Sequence, residues 1–195
     1  MTVPNIISIF RLLLIPAFVM TVLYYIAGVK EGEPEDMLRW WAAAIFILAA
    51  VSDGVDGYIA RRFNQRSELG GVLDPLADKL LQVTALILLS IDFHRAFHRL
   101  PIWLPILVIS RDLFILVGYL VIKLVVGVKV EVRTHWSGKV ATALIMMLIT
   151  MVLMQWTDWR IYRPILYVSG VCVLISLVVY VARGVVQINQ APQKG

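Results

Sequence analysis

Charge is what this sequence has least of. Only 16% of its 195 residues are Asp, Glu, Lys or Arg, against about 25% in an ordinary soluble domain. With 60% hydrophobic residues and a mean hydropathy of +0.83, this excludes a freely soluble globular chain. Cysteine is nearly absent: Cys172 stands alone in an apolar run, so no intramolecular disulfide forms and the thiol reads as a small buried hydrophobe. No Asn-x-Ser/Thr sequon occurs, and histidine is limited to His94, His98 and His135, which fall in the expected loops without cysteine partners and read as solvated or interfacial rather than zinc ligands. A basic n-region is missing too. The first apolar run begins almost at once and is longer than a signal-peptide core, which predicts a retained helix.

What fills the sequence instead is long apolar runs, near 5–28, 38–60, 72–91, 102–125, 140–156 and 164–186. Each approaches the roughly 20 residues that cross a bilayer, the fifth being the shortest. Runs such as LLQVTALILLSI do not alternate apolar with polar, so a β-barrel is excluded. The fold expected is an all-α integral membrane protein: six transmembrane helices in one bundle, residues 1–195 forming a single domain because the loops are short. The second loop holds Arg61, Arg62 and Arg66, and the fourth Lys123, Lys129, Arg133 and Lys139, whereas the first holds Glu31, Glu33, Glu35 and Asp36. By the positive-inside rule the even loops and both termini are cytoplasmic, in a bacterial-type inner membrane. The formal charge of +5 then belongs to topology and anionic headgroups rather than to nucleic acid.

Against this background the stretch SDGVDGYIARRFNQRSELGGVLDPLADKL stands out, for it gathers Asp53, Asp56, Asp74 and Asp78 at the cytoplasmic ends of the second and third helices. The first pair is three apart and the second four apart, so each pair shares one side of its helix, and a hairpin over 61–69 can bring the pairs together. Carboxylates at membrane depth are costly and usually functional; two of them 4 Å apart repel by about 4 kcal/mol at an intermediate dielectric. Something positive must sit between them; helix capping or pairing with Arg61, Arg62 and Lys79 would account for a single aspartate, but four at these spacings point to metal. Hard divalent ions, Mg²⁺ or Mn²⁺, suit carboxylate oxygens, and two of them balance four charges. Gly54, Gly57, Ala60, Gly70 and Gly71 thin the same helices, either for close helix packing or to leave room for a flat or phosphorylated ligand.

Asp53-x-x-Asp56-Gly57-x-x-Ala60-Arg61, eight residues, then Gly70-x-x-x-Asp74-x-x-x-Asp78 resembles the complete signature of the CDP-alcohol phosphotransferase family. The opening PNIISIFRLLLIP is similar to the first helix of its phosphatidylglycerolphosphate and cardiolipin synthase branch, with Ser8 where many relatives carry threonine. In the second half only ISRD and SGK stand out. The resemblance implies transfer of a substituted phosphate from CDP-diacylglycerol to an acceptor alcohol with CMP leaving. It implies that Asp53, Asp56, Asp74 and Asp78 hold two divalent ions on the pyrophosphate and that Asp78 is the general base. It further implies that Gly57, Ala60, Arg61 and Gly70, with Asn5 and Ser8, bind the nucleotide, and that the enzyme is a homodimer. Met146, Met147, Met151 and Met154 could line an interface or simply pack. Arg11 either reaches the site or runs to the headgroups, the second being preferred.

Arg111, in the fourth helix, lies deeper than a topology signal needs. It either pairs internally with Asp112 or with another helix, or, with Lys139 and Arg133, recognises a phosphate on the acceptor, a task arginine suits. The second reading leads to sn-glycerol 3-phosphate; phosphatidylglycerol, giving cardiolipin, is the alternative acceptor. From another class, a cation- or proton-coupled transporter would hold its carboxylates near the midplane and often between inverted repeats, and neither feature is visible.

Overall fold

The computed structural model describes the backbone over residues 3–62, 68–91, 96–126 and 136–190, and side chains over 9–52, 76–91, 96–118, 120, 136–158 and 160–183. It is all-helical, with α1 Val3–Glu31, α2 Asp36–Arg62, α3 Glu68–Ser90, α4 Trp103–Val126, α5 Trp136–Leu153 and α6 Trp159–Gln190. Each helix falls on one of the six apolar runs, and α5 is the shortest at 18 residues. Among the described residues, three segments are long and apolar enough to cross a membrane: Ile9–Glu31, Trp136–Leu153 and Arg160–Arg183. Bulky apolar side chains such as Leu13, Tyr24, Phe114 and Val178 face outward, as the surface of a membrane protein requires.

Five of the six helices are longer than the apolar runs that announce them. Arg61 and Arg62 still belong to α2, and Glu68 and Leu69 already belong to α3, so the expected nine-residue hairpin shrinks to residues 63–67. Arginine and glutamate are good helix formers, and a helix has no reason to end where the hydrocarbon does.

The chain divides into two compact units, one built from Met1–Pro101 and Met146–Asp158, the other from Ile102–Ile145 and Trp159–Gly195. In the first, α1 packs along both α2 and α3. Its core includes Phe18, Val22, Phe46, Leu81 and Leu86, with the Phe18 and Phe46 rings 5.7 Å apart and tilted by 47°. In the second, α4 packs against α6 over Leu104, Val108, Leu166 and Val173. The contact is close because Gly170 lacks a side chain: a Cβ there would lie 2.8 Å from the Trp103 ring.

The end of the first unit farthest along α2 from the acids is tied by the chain's turns. After α1, Gly32 at φ 84° closes a Schellman motif, with Glu33 N donating to Gly28 O at 2.9 Å and Gly32 N to Val29 O at 3.3 Å. The same motif ends α5, where Trp156 N donates to Met151 O at 2.8 Å, but here the left-handed position is Gln155 at φ 56°. A left-handed glutamine is uncommon. Its side chain explains the choice: Nε2 donates to Tyr25 Oη at 3.2 Å and to Ala96 O at 3.3 Å. Arg39 adds a third tie, Nη1 donating to Met154 O at 3.1 Å.

Candidate functional site

Asp53 and Asp56 lie in the second half of α2, and Asp74 and Asp78 in the first half of α3, all within the first unit. A rise of 1.5 Å per residue separates the members of the pairs by about 4.5 and 6 Å along their axes. The connection 63–67 lets the near ends of α2 and α3 lie no more than about 20 Å apart. Gly57, Ala60 and Arg61 occupy the end of α2, Gly70 the first turn of α3, and Asn5 and Ser8 the first turns of α1. The side chains of these six and of Asp53, Asp56 and Asp74 fall outside the described ones. Asp78 is described and is half-buried. The donor chemistry of the four acid positions is oxygen alone, which fits a hard divalent cation and not zinc.

Two further side chains of this unit bear on the site. Arg11 is fully buried on α1, the helix that packs on both acid-bearing helices, so the expectation that it runs to the headgroups is wrong. Its position facing the packed side of α1 keeps the guanidinium within protein. On α3, Gln82 is also fully buried. Asp74, Asp78 and Gln82 are spaced by four and form one stripe of the helix. Ser52, next to Asp53, spends its hydroxyl on its own helix, Oγ donating to Leu48 O at 2.7 Å.

In the second unit Arg111 is 5% exposed on α4. Its Nε lies 3.4 Å from Asp112 Oδ1, so the internal pairing expected from the sequence does form. It does not satisfy the guanidinium: Nε and Nη1 make no hydrogen bond among the described residues, and neither does the buried Ser176 Oγ on α6. These groups converge at Gly138 of α5. A Cβ at Gly138 would lie 3.5 Å from Ser176 Oγ, 3.6 Å from Tyr180 Oη and 3.7 Å from Arg111 Nη2. Three polar groups from two helices thus surround a place kept clear by a glycine, and Lys139, exposed, follows it in the chain. Arg133 lies outside the described residues.

Sequence reasoning found Arg111 and the SGK element but not Ser176 and Tyr180, which stand 38 or more residues from Gly138. Gln82 was visible as a lone amide in the run LLQVTALILL, yet nothing local distinguishes it from a tolerated polar residue.

A family model of CDP-alcohol phosphatidyltransferases matches residues 1–184, a range that includes all four acids and the Arg111 cluster. A Blochmanniella floridana protein named CDP-diacylglycerol–glycerol-3-phosphate 3-phosphatidyltransferase is 32% identical over 181 residues, covering 92% of this chain and 88% of its own length. Proteins of the same name from Escherichia coli strain K12 and Shigella flexneri serotype 5b are 32% identical over 184 residues, covering 92% of this chain and 93% of their own.

Proposed function

This chain belongs to the CDP-alcohol phosphatidyltransferase family, and on that premise we propose that it transfers a phosphatidyl group from CDP-diacylglycerol to sn-glycerol 3-phosphate. The observation that carries the acceptor is coverage: relatives named for that reaction match over 92% of this chain and up to 93% of their own length.

In this reading the glycerol 3-phosphate hydroxyl forms a bond to the phosphorus bearing the diacylglycerol. The bond from that phosphorus to the bridging oxygen breaks, and CMP leaves with the electron pair. Asp78 takes the hydroxyl proton, as its half-burial and its place at the inner end of the acid motif allow. Asp53, Asp56, Asp74 and Asp78 would hold two divalent ions, Mg²⁺ or Mn²⁺, which would supply charge stabilisation for the phosphoryl oxygens. Asn5, Ser8, Gly57, Ala60, Arg61 and Gly70 receive the nucleotide. Arg111, with Lys139 and Arg133, recognises the acceptor phosphate; the unbonded Nε and Nη1 of a buried arginine support this, because such donors are costly without a partner.

The chain works as one domain of six spans, with the acids at the cytoplasmic face and both termini cytoplasmic. Exposed Trp40 and Trp41 near the start of α2, a helix outside the three most apolar, support more spans than those three, since tryptophan marks the membrane interface. A CDP-diacylglycerol molecule then keeps its acyl chains in the leaflet and its nucleotide in the cytosol. The enzyme acts as a homodimer, with Met147, exposed on α5, a candidate contact.

The test is CMP binding and turnover in one pair of proteins. Wild type binds CMP only with Mg²⁺ or Mn²⁺, and Asp78→Asn keeps most of that binding while turnover falls by about a hundredfold or more. A wild type that binds no CMP under any metal condition returns the acids to cation transport; equal loss of binding and turnover removes Asp78 as the base.

A further inference from the structure

Gln82 is a buried group for which the proposed reaction has no use. It is the only fully buried carboxamide among the described residues, and neither Oε1 nor Nε2 has a hydrogen-bond partner among them. Its neighbours Leu81, Ala85 and Leu86 are fully buried as well, so the surroundings would accept leucine at no polar cost. An amide placed where neither half bonds asks for a partner that arrives from outside the chain.

Its place on α3 says what that partner is. Gln82 follows Asp78 by one turn and Asp74 by two, on the same stripe, which puts it about 6 Å farther along the axis than Asp78 and away from the α2–α3 connection. Helical side chains lean toward the N-terminus, so the amide belongs to the level between its own Cα and the Asp78 turn. Given the reading above, in which the pyrophosphate sits at Asp74 and Asp78, the diacylglycerol descends from that point into the bilayer. The first polar groups below the phosphate are the two ester carbonyls. A carbonyl oxygen only accepts, Nε2 donates, and a neutral amide brings no charge to that depth. Glycerol 3-phosphate is fully water-soluble and carries no polar group that must be carried inward past Asp78.

We propose that Gln82 donates a hydrogen bond from Nε2 to an ester carbonyl of the CDP-diacylglycerol substrate, fixing how deep the lipid sits when its phosphate meets the acids. The site takes a diacyl lipid and discriminates against a dialkyl one, which has the same shape but ether oxygens in place of the esters.

The test compares CDP-diacylglycerol with CDP-dialkylglycerol of matched chain length, glycerol 3-phosphate as acceptor, and full-length wild type, Gln82→Leu and Gln82→Met. Wild type is expected to favour the ester donor in kcat/KM by roughly fivefold, the worth of one neutral hydrogen bond. Both variants should lose that preference chiefly on the ester side, and the unloaded variants should melt no lower than wild type because an unbonded amide has been replaced by an apolar side chain. An unchanged ester preference in either variant overturns the inference, as does an equal drop with both donors accompanied by a lower melting temperature, which is the mark of a structural role. Wild type that uses neither donor contradicts the transferase reading itself and takes this inference with it; wild type that turns over both donors equally contradicts the Gln82 contact alone.

Discussion

Gly138 does its work by having no side chain. Around the space it leaves stand Ser176 Oγ, Tyr180 Oη and Arg111 Nη2, at 3.5 to 3.7 Å from where a Cβ would be. Those are ordinary van der Waals distances, so Gly138→Ala should fold, and replacing a helical glycine adds up to about 1 kcal/mol of stability. The methyl would nonetheless occupy the ground that the three polar groups share. The expected outcome is an unchanged or higher melting temperature together with a KM for glycerol 3-phosphate raised about tenfold, equivalent to roughly 1.4 kcal/mol, and a KM for CDP-diacylglycerol left near its original value. Steady-state kinetics with each substrate varied in turn checks it. A rise for both substrates would remove the cluster from acceptor recognition. At this scale the sequence announced the residues whose chemistry is unusual in an apolar chain, the four aspartates and Arg111. It gave no warning of Ser176 or Tyr180, because their meaning lies in contacts across two helices. It misled on Arg11, since a single arginine early in a membrane helix reads as a headgroup anchor until its packing partners are known.

Helix positions were legible because burial in lipid imposes one pattern, a long apolar run, that few other structures share. Helix ends were not, because polar residues such as Arg61, Arg62 and Glu68 extend helices past the apolar boundary. What holds helices together was less visible still. Nothing in the sequence links Gln155 to Tyr25 and Ala96, or Gly170 to Trp103. The second pair makes a prediction for the α4–α6 contact. Gly170→Ala would place a methyl 2.8 Å from Cζ3 and 2.9 Å from Cη2 of Trp103, atoms of a rigid ring rather than of a flexible tip. Overpacking of this kind costs about 1–3 kcal/mol, more than the helix-propensity gain of up to about 1 kcal/mol. Gly170→Ala should therefore lower the unfolding temperature in detergent, and in a Trp103→Leu background the same substitution should be neutral or stabilising, a non-additivity that a double-mutant cycle reads directly. Equal effects in both backgrounds would show that the ring is not the obstacle.

For the whole molecule, the division of labour follows the two compact units. Every acid of the signature belongs to the first unit and the Arg111 cluster to the second, so the proposed donor and acceptor residues stand on different helices of one chain. This explains why the sequence spoke clearly about the reaction class and faintly about the acceptor. The first is encoded in eight fixed positions within residues 53–78, close enough in the chain to form a motif. The second, in the proposed reading, rests on Arg111, Gly138, Ser176 and Tyr180, scattered over three helices. The account's central claim is the transfer to glycerol 3-phosphate, and the direct measurement is CMP release by the purified protein given CDP-diacylglycerol and Mg²⁺ or Mn²⁺, with glycerol 3-phosphate, phosphatidylglycerol or inositol 1-phosphate offered separately. The account predicts release with glycerol 3-phosphate alone, formation of phosphatidylglycerol phosphate in equal amount, and loss of both in Asp74→Asn. Release that follows phosphatidylglycerol or inositol 1-phosphate instead, or that persists undiminished in Asp74→Asn, would contradict it.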